Sequence, residues 1–441
     1  MAKKAKSKGF FALDVHQFER IHQNNLGVEE AATYLSLLKS TDQSNVVSSG
    51  GVRSVMDYSG LSRAEVKRAI RHLENRGLIE CLEVERKRAR KADRYNLPIH
   101  DSRRTLSPKE RGIVDTIEAG QQPAGNSDIQ AAHRAASKGW VEKRSDGWQI
   151  IEHANTVAFI PNSFVQVSEG HSPLYRLVNG GELGPIMLAA ELYQLQNLMD
   201  ERGVPLDMIR GHFRASEDFS VRFQNHRLHH LRPGRVYQDE ETGERKSFDR
   251  VYDHRWRGES GIGFWDNLRA LDAAHVTEWA VYSANGKPPG NGEYGYNRPQ
   301  RPLGVLRNGR QVLNTPESRP AFMAFLVYKL KQANGKLTES LPQLIEEWQS
   351  SGWVFAFENA SVSHVEGVSV LRLTHRAATD NTKVWYRDLC QECDRAFFFV
   401  EMAARSYFPQ ISGIIQEIQN APNFKEAISM KINDSPMTDQ T

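Results

Sequence analysis

Four cations recur along one short stretch, "GLSRAEVKRAIRHLENRG": Arg63, Lys67, Arg68 and Arg71. On a helix, spacings of four and eight residues place Arg63, Lys67 and Arg71 on one side, with Arg68 beside them. Such a side has the chemistry to read DNA. A guanidinium donates two parallel hydrogen bonds to O6 and N7 of guanine, and a lysine reaches guanine or phosphate. Further along the chain Arg86, Lys87, Arg88, Arg90 and Lys91 put five positive charges into six positions. Charges so dense repel one another in isolation, and a polyanion relieves the repulsion while releasing its counterions. Ser59 and Ser62, at the turn and the helix start, are residue types suited to holding a phosphate.

The other chemically suggestive residues point to less. His226, His229 and His230 in "QNHRLHHLRPGRVY" lack an apolar residue between the last two and have no acidic partners in a recognisable motif. They read as partly exposed basic residues which, with Arg227, Arg232 and Arg235, form a second phosphate-contacting surface. Cys390 and Cys393 form one "CQEC" without a second pair or a nearby histidine, and read as ordinary helix residues. With Cys81 they are too few for a disulfide framework, which suits a reducing compartment. "NGGELG" and "GESGIG" lack the order and the Lys-Ser/Thr ending of a nucleotide-binding loop. No nucleophile stands at a readable spacing from a base, so neither an enzyme nor a cofactor is expected.

The elements that must position these groups can be read locally. Ser62 and Glu65 have capping-box spacing, Val66, Ala69, Ile70 and Leu73 follow a helical stripe, and Gly77 is placed to terminate it. "LIECLEV" then alternates as a strand, the basic turn follows, and "DRYNLP" returns as a second strand. Upstream, "VEEAATYLSLLKS" predicts a helix with Ala31, Ala32, Leu35 and Leu38 on one face, and a short helix precedes Gly60. This order over residues 26–98 resembles the winged helix-turn-helix family, close to the variant seen in bacterial and phage replication and regulatory proteins. The resemblance implies that Arg63–Arg71 lie on the helix that enters the major groove and that residues 86–91 form the wing on the backbone beside it.

The pattern of helix, terminating glycine and hairpin recurs around "NSDIQAAHRAASKGWVEKRSDGWQIIEH", "GIGFWDNLRALDAAHVTEWAVY" and "LPQLIEEWQSSGWVFAFEN" followed by "GVSVLRLTH". The expected fold is therefore mainly α with short β-hairpins, as tandem winged-helix-like domains. The expected divisions are a basic N-terminal arm at 1–25, the DNA-binding domain at 26–100 and a second winged-helix-like domain at 105–153. A helical segment with a third unit follows at 157–315, then a fourth helix-hairpin unit with C-terminal helices at 320–424 and a flexible tail at 425–441. A fragment ending near residue 100 is expected to hold its own small core.

Charge supports the same end of the chain. Residues 1–104 carry 20 Lys plus Arg against 13 Asp plus Glu, a net of +7, and residues 105–441 carry 37 against 41, a net of −4. No apolar run approaches the roughly 18 to 20 residues that span a bilayer, so a cytoplasmic protein without a membrane partner is expected. The function expected is site-specific binding of double-stranded DNA by a transcriptional regulator, with dimerisation or protein contacts through the C-terminal units. The alternative is a replication initiator, or the DNA-binding component of a plasmid, phage or mobile-element machinery.

Overall fold

The computed structural model describes residues 9–41, 47–82, 94–97, 108–137, 141–144, 147–150, 157–199, 202–204, 211–223, 225–233, 263–284, 301–313, 315–359, 366–409, 411–413 and 416. They fall into two units, 1–194 and 195–441. The described residues are mainly helical, with the strands in antiparallel sheets. Among them no helix is long and apolar enough to cross a membrane.

The first unit begins with strand β1 (Phe10–Asp14), whose alternation buries Phe11 and Leu13. Asp14 caps α1 (Val15–Gln23) by accepting from the Gln17 N–H at 3.2 Å. Helix α2 (Val28–Lys39) is buried on every side from Glu30 to Leu38 and forms the axis of the unit. Strand β2 (Val47–Ser48) leads to α3 (Val52–Ser59), which ends at Gly60 in the left-handed conformation (φ +76°). Ser62 then caps α4 (Arg63–Asn75). The α4 stripe of Val66, Ala69, Ile70 and Leu73 is buried as its spacing predicts, and Gly77 (φ +65°) turns the chain away. Strands β3 (Glu80–Leu82) and β4 (Arg94–Asn96) follow, in a sheet of order β2-β4-β3.

A smaller layer within the unit comprises α5 (Pro108–Glu118), α6 (Asn126–Ser137) and the hairpin β5 (Val141–Arg144) to β6 (Gly147–Ile150). Ile113, Val114, Ile117, Ala131, Ala132 and Trp148 make its core. The Gln122 side chain clasps the Trp148 backbone, donating to its carbonyl (3.0 Å) and accepting from its N–H (2.7 Å).

The chain then returns to its start. Strand β7 (Val157–Pro161) pairs antiparallel with β1, Phe11 opposite Ile160. After it come α7 (Asn162–Val165), α8 (Pro173–Asn179) and α9 (Leu183–Leu195). Ile186, Met187, Ala190 and Tyr193 of α9 are buried as read from the sequence, while Leu198 lies beyond the helix and packs on Trp385, Leu389 and Cys393. Two expected divisions change here. Residues 10–23 are a strand and a helix rather than part of an arm, because β1 has a partner far along the chain. Residues 157–194 belong with the first unit, since they supply that partner. The expected core for a fragment ending near residue 100 changes with them, because α2 needs apolar cover from beyond that point.

The second unit is built on one seven-stranded sheet. Its strands are β8 (Gly211–Phe223), β9 (His226–Pro233), β10 (Thr277–Ala284), β11 (Pro302–Arg307), β12 (Arg310–Gln311), β13 (Val354–Asn359) and β14 (Glu366–Leu373), in the order β12-β11-β10-β14-β8-β9-β13. The sheet curls until its ends approach. The Gln311 amide donates to the Trp353 carbonyl (2.6 Å), and Arg301 donates to the Phe357 carbonyl (3.2 Å) and to Glu358 (3.0 Å). Helix α10 (Phe264–Ala273) precedes β10. Helices α11 (Ser318–Gln332), α12 (Leu341–Ser351) and α13 (Asp380–Tyr407) pack around Phe322, Phe325, Leu344, Trp348, Phe355 and Phe397.

This architecture keeps the hairpin of the third unit within a larger sheet and corrects that of the fourth. Strand β10 does pair with β11 as expected, but β13 and β14 do not pair with each other. β14 lies between β10 and β8, and β13 is an edge strand beside β9. A helix ended by glycine before a strand, as at Gly352 (φ +65°), recurs in any layered fold, and the pairing of distant strands overrode the local pattern.

Candidate nucleic-acid interface

Helix α4 is fixed from three sides. Its apolar stripe meets the core, and its first turn is closed by the capping box, Glu65 N–H donating to Ser62 Oγ (3.3 Å) and Ser62 N–H to the Glu65 carboxylate (2.7 Å). These bonds at Ser62 hold the Glu65 carboxyl below its ordinary range. Two carboxylates of α2 grip the flank of α4: Glu30 accepts at once from the Gly27 N–H and from His72 Nδ1, each at 2.8 Å, and Glu29 pairs with Arg68 at 2.5 Å.

What remains outward is a stripe of Arg63, Lys67 and Arg71, all exposed. The side chains of Arg63 and Lys67 have no hydrogen-bond or ion-pair partner among the described residues, and Arg71 Nε bends back to the Lys67 carbonyl (3.3 Å). Arg53 of α3 is exposed as well. A stripe of this kind can offer fork-shaped and point-charge donors to base edges or phosphates, and Arg63 and Lys67 can do so without first breaking a side-chain bond.

The expected residues divide accordingly. Arg63, Lys67 and Arg71 share the outward stripe, whereas Arg68 is committed to Glu29, whose hydrogen bond and charge hold the guanidinium pKa up. The phosphate role expected of Ser59 is not available. Its side chain is 0% exposed, donating to the Val55 carbonyl (2.7 Å) and accepting from the Leu61 N–H (3.3 Å). The spacing that makes it look like a turn residue also puts it on the inner side of α3. Ser62 is exposed, but the Glu65 carboxylate occupies the amide a phosphate would use. Arg86, Lys87, Arg88, Arg90 and Lys91 lie outside the described residues, as do Lys3, Lys4, Lys6 and Lys8.

The histidines do not form a basic surface. Adjacent residues of a strand point to opposite faces, so His229 and His230 cannot share a site. His230 is buried beside Phe355 (5.3 Å) and Trp353 (4.8 Å), and His229 is buried on the other face. Burial, with the charge of Arg227, lowers the His229 pKa. His226 stacks on Phe357 at 5.2 Å. Among the described residues no group of three or more His, Cys, Asp or Glu could hold a metal ion. Cys393 is buried, and burial with the nearby Glu317 pushes its thiol far up.

Sequence reasoning missed a buried charge network in the second unit. Glu278 accepts from Arg372 Nε and Arg307 Nη2, each at 2.9 Å, and from Arg376. Arg372 also donates to Glu317 (2.9 Å) and the Tyr282 hydroxyl (3.3 Å). Burial opposes the charge of Arg372, but Glu317 and Glu278 outweigh it and keep the guanidinium protonated. The Tyr282 hydroxyl, buried beside these charges, is pushed up to about 12. The signal was present: Glu278 and Arg372 occupy inward positions in otherwise apolar alternation, where a charge needs a partner.

No protein-family model matches the chain, and neither a known protein nor a solved structure is significantly similar to it.

Proposed function

We propose that the first unit binds double-stranded DNA as a winged helix-turn-helix, with α4 in the major groove and residues 86–91 as the wing, and that the chain acts without catalysis as a site-specific regulator. The observation that carries this reading is the outward stripe of Arg63, Lys67 and Arg71 on a helix anchored from behind. Support also comes from the order α2-β2-α3-α4-β3-β4 with the sheet order β2-β4-β3, in which β3 follows α4 directly and pairs with β4. A second reading, a replication initiator or DNA-binding part of a mobile-element machine, is favoured by the additional helix-hairpin layer at 108–150. That layer would let one chain contact a longer stretch of duplex. A palindromic footprint with one half-site spacing supports the regulator, and direct repeats support the initiator.

Binding of the full chain to a selected duplex and to a random pool, over a series of salt concentrations, tests the reading. Alanine at a base-reading member of the stripe costs about 1 to 3 kcal/mol on the selected duplex and relaxes selectivity. Alanine at three wing cations weakens both duplexes alike and reduces the slope of log affinity against log salt by about 0.9 per lost phosphate contact. Unchanged binding after substitution of Arg63, Lys67 and Arg71 together removes α4 as the reader.

A further inference from the structure

Only Gly60 and Leu61 separate α3 from the cap of α4, so a shift in the last turn of α3 passes directly to the start of α4. That turn is gripped by residues more than a hundred positions later. The ring of Tyr175, on α8, lies directly on Gly60: a Cβ at Gly60 would overlap Cε2 and come within 2.7 Å of Cδ2 and 3.0 Å of Cζ. The ring is also stacked on His171, at 4.1 Å with the planes 7° apart. Ser172 donates to the Tyr58 carbonyl (3.4 Å), and Lys39 of α2 donates to the Tyr58 hydroxyl (2.7 Å) and to the Gln166 side chain. Tyr58 is thus held by its backbone and its side chain together, one residue before the end of α3.

From this arrangement we infer that Tyr175 is a positioning residue for DNA recognition, a brace that fixes the angle between α3 and α4. The inference rests on the DNA-binding reading of α4. A flat ring stacked on an imidazole and set close against Gly60 has little freedom to shift, and it excludes any larger residue at position 60. Contacts to phosphate by long, flexible cations tolerate small displacements of their helix, whereas paired hydrogen bonds to a base edge do not. Loss of the brace should therefore reduce discrimination between sequences much more than general affinity for duplex.

The test compares full-length wild type, Tyr175→Ala and Tyr175→Phe on a duplex selected with the wild-type chain and on the unselected pool. In Tyr175→Ala the ratio of the two affinities falls about tenfold, the scale of one misaligned bidentate contact. Pool affinity and salt slope stay near wild type, and Tyr175→Phe restores the ratio because the contact is made by ring carbons. Amide hydrogen exchange over residues 60–66 provides a readout that needs no DNA: it quickens in Tyr175→Ala and is normal in Tyr175→Phe. If Tyr175→Ala does not fold, Tyr175→Leu, bulky but not flat, takes its place with the same expected results. An unchanged ratio and unchanged exchange in the Ala or Leu variant overturn the brace, as does a Phe variant as impaired as Ala. If the wild-type chain prefers no duplex, the DNA reading fails instead, and exchange alone decides whether the brace exists.

Discussion

Replacing Glu278 by glutamine keeps the shape of the side chain but turns one acceptor into a donor facing guanidinium donors. Three arginines lean on this carboxylate, and among the described residues only Arg372 has a second one, Glu317, at 2.9 Å. Breaking a buried ion pair by neutralising one partner costs about 3 to 5 kcal/mol. Because glutamine retains one acceptor oxygen and Arg372 keeps Glu317, the lower end applies, about 3 kcal/mol. With a urea dependence of about 3 kcal/mol per molar for a unit of this size, the midpoint falls by about 1 M. Tryptophan fluorescence follows the transition, since Trp256, Trp265, Trp279, Trp348, Trp353 and Trp385 all belong to the second unit. Glu346→Gln is the comparison. Its pair with Arg310 is exposed on both sides, so the cost is under about 1 kcal/mol. Equal small shifts for the two variants would refute the reasoning, because burial would then have added nothing.

Other expectations follow from the same contacts. Gly60→Ala combines backbone strain at φ +76° with overlap on Tyr175, and should lower the melting temperature of the first unit measurably more than Gly77→Ala, whose Cβ meets nothing within 4 Å at a similar φ. Residues 9–97 alone should give a poorly dispersed amide spectrum, whereas 1–194 should give a dispersed one, since α2 is covered by elements on both sides of the smaller layer. The His229 pKa is lowered in the folded state, so the unfolded chain binds a proton first as pH falls through the ordinary range near 6.5. The contribution is present above that range and lost below it, and His229→Gln should flatten the stability profile between about pH 7 and 5, read by urea midpoints.

Local codes were legible and distant partners were not. The capping pair Ser62 and Glu65, the stripe from Val66 to Leu73 and the stop at Gly77 are written within sixteen residues, and α4 forms where they say. The outward stripe follows from the same periodicity. That Arg68 is tied to Glu29 could not be read, because helical spacing says nothing of a carboxylate 39 positions away on another helix. "FFALD" reads as part of an arm spanning 1–25 because its partner, β7, lies well over a hundred residues later. In the second unit, alternation identified strands but not their neighbours, so "WVFAFEN" and "GVSVLRLTH" were joined as a hairpin when each pairs elsewhere. The two adjacent histidines were the opposite case. Once their stretch is recognised as a strand, their separation onto two faces follows without coordinates.

The strand order of the second unit also sets a timetable for synthesis. β8 and β9 leave the ribosome early as a hairpin, but the inner edge of β8 pairs with β14, and β10 needs the same strand on its other side. At about 5 to 20 residues per second, the β8 edge waits roughly 7 to 29 seconds between Phe223 and Glu366, and the β10 edge roughly 4 to 16 seconds between Ala284 and Glu366. The first unit has no such delay after residue 194, because all its strand partners are already made. A nascent chain arrested between residues 284 and 366 should therefore carry a finished first unit followed by an unfinished sheet, with exposed edges that recruit holding chaperones or pair with a neighbouring nascent chain.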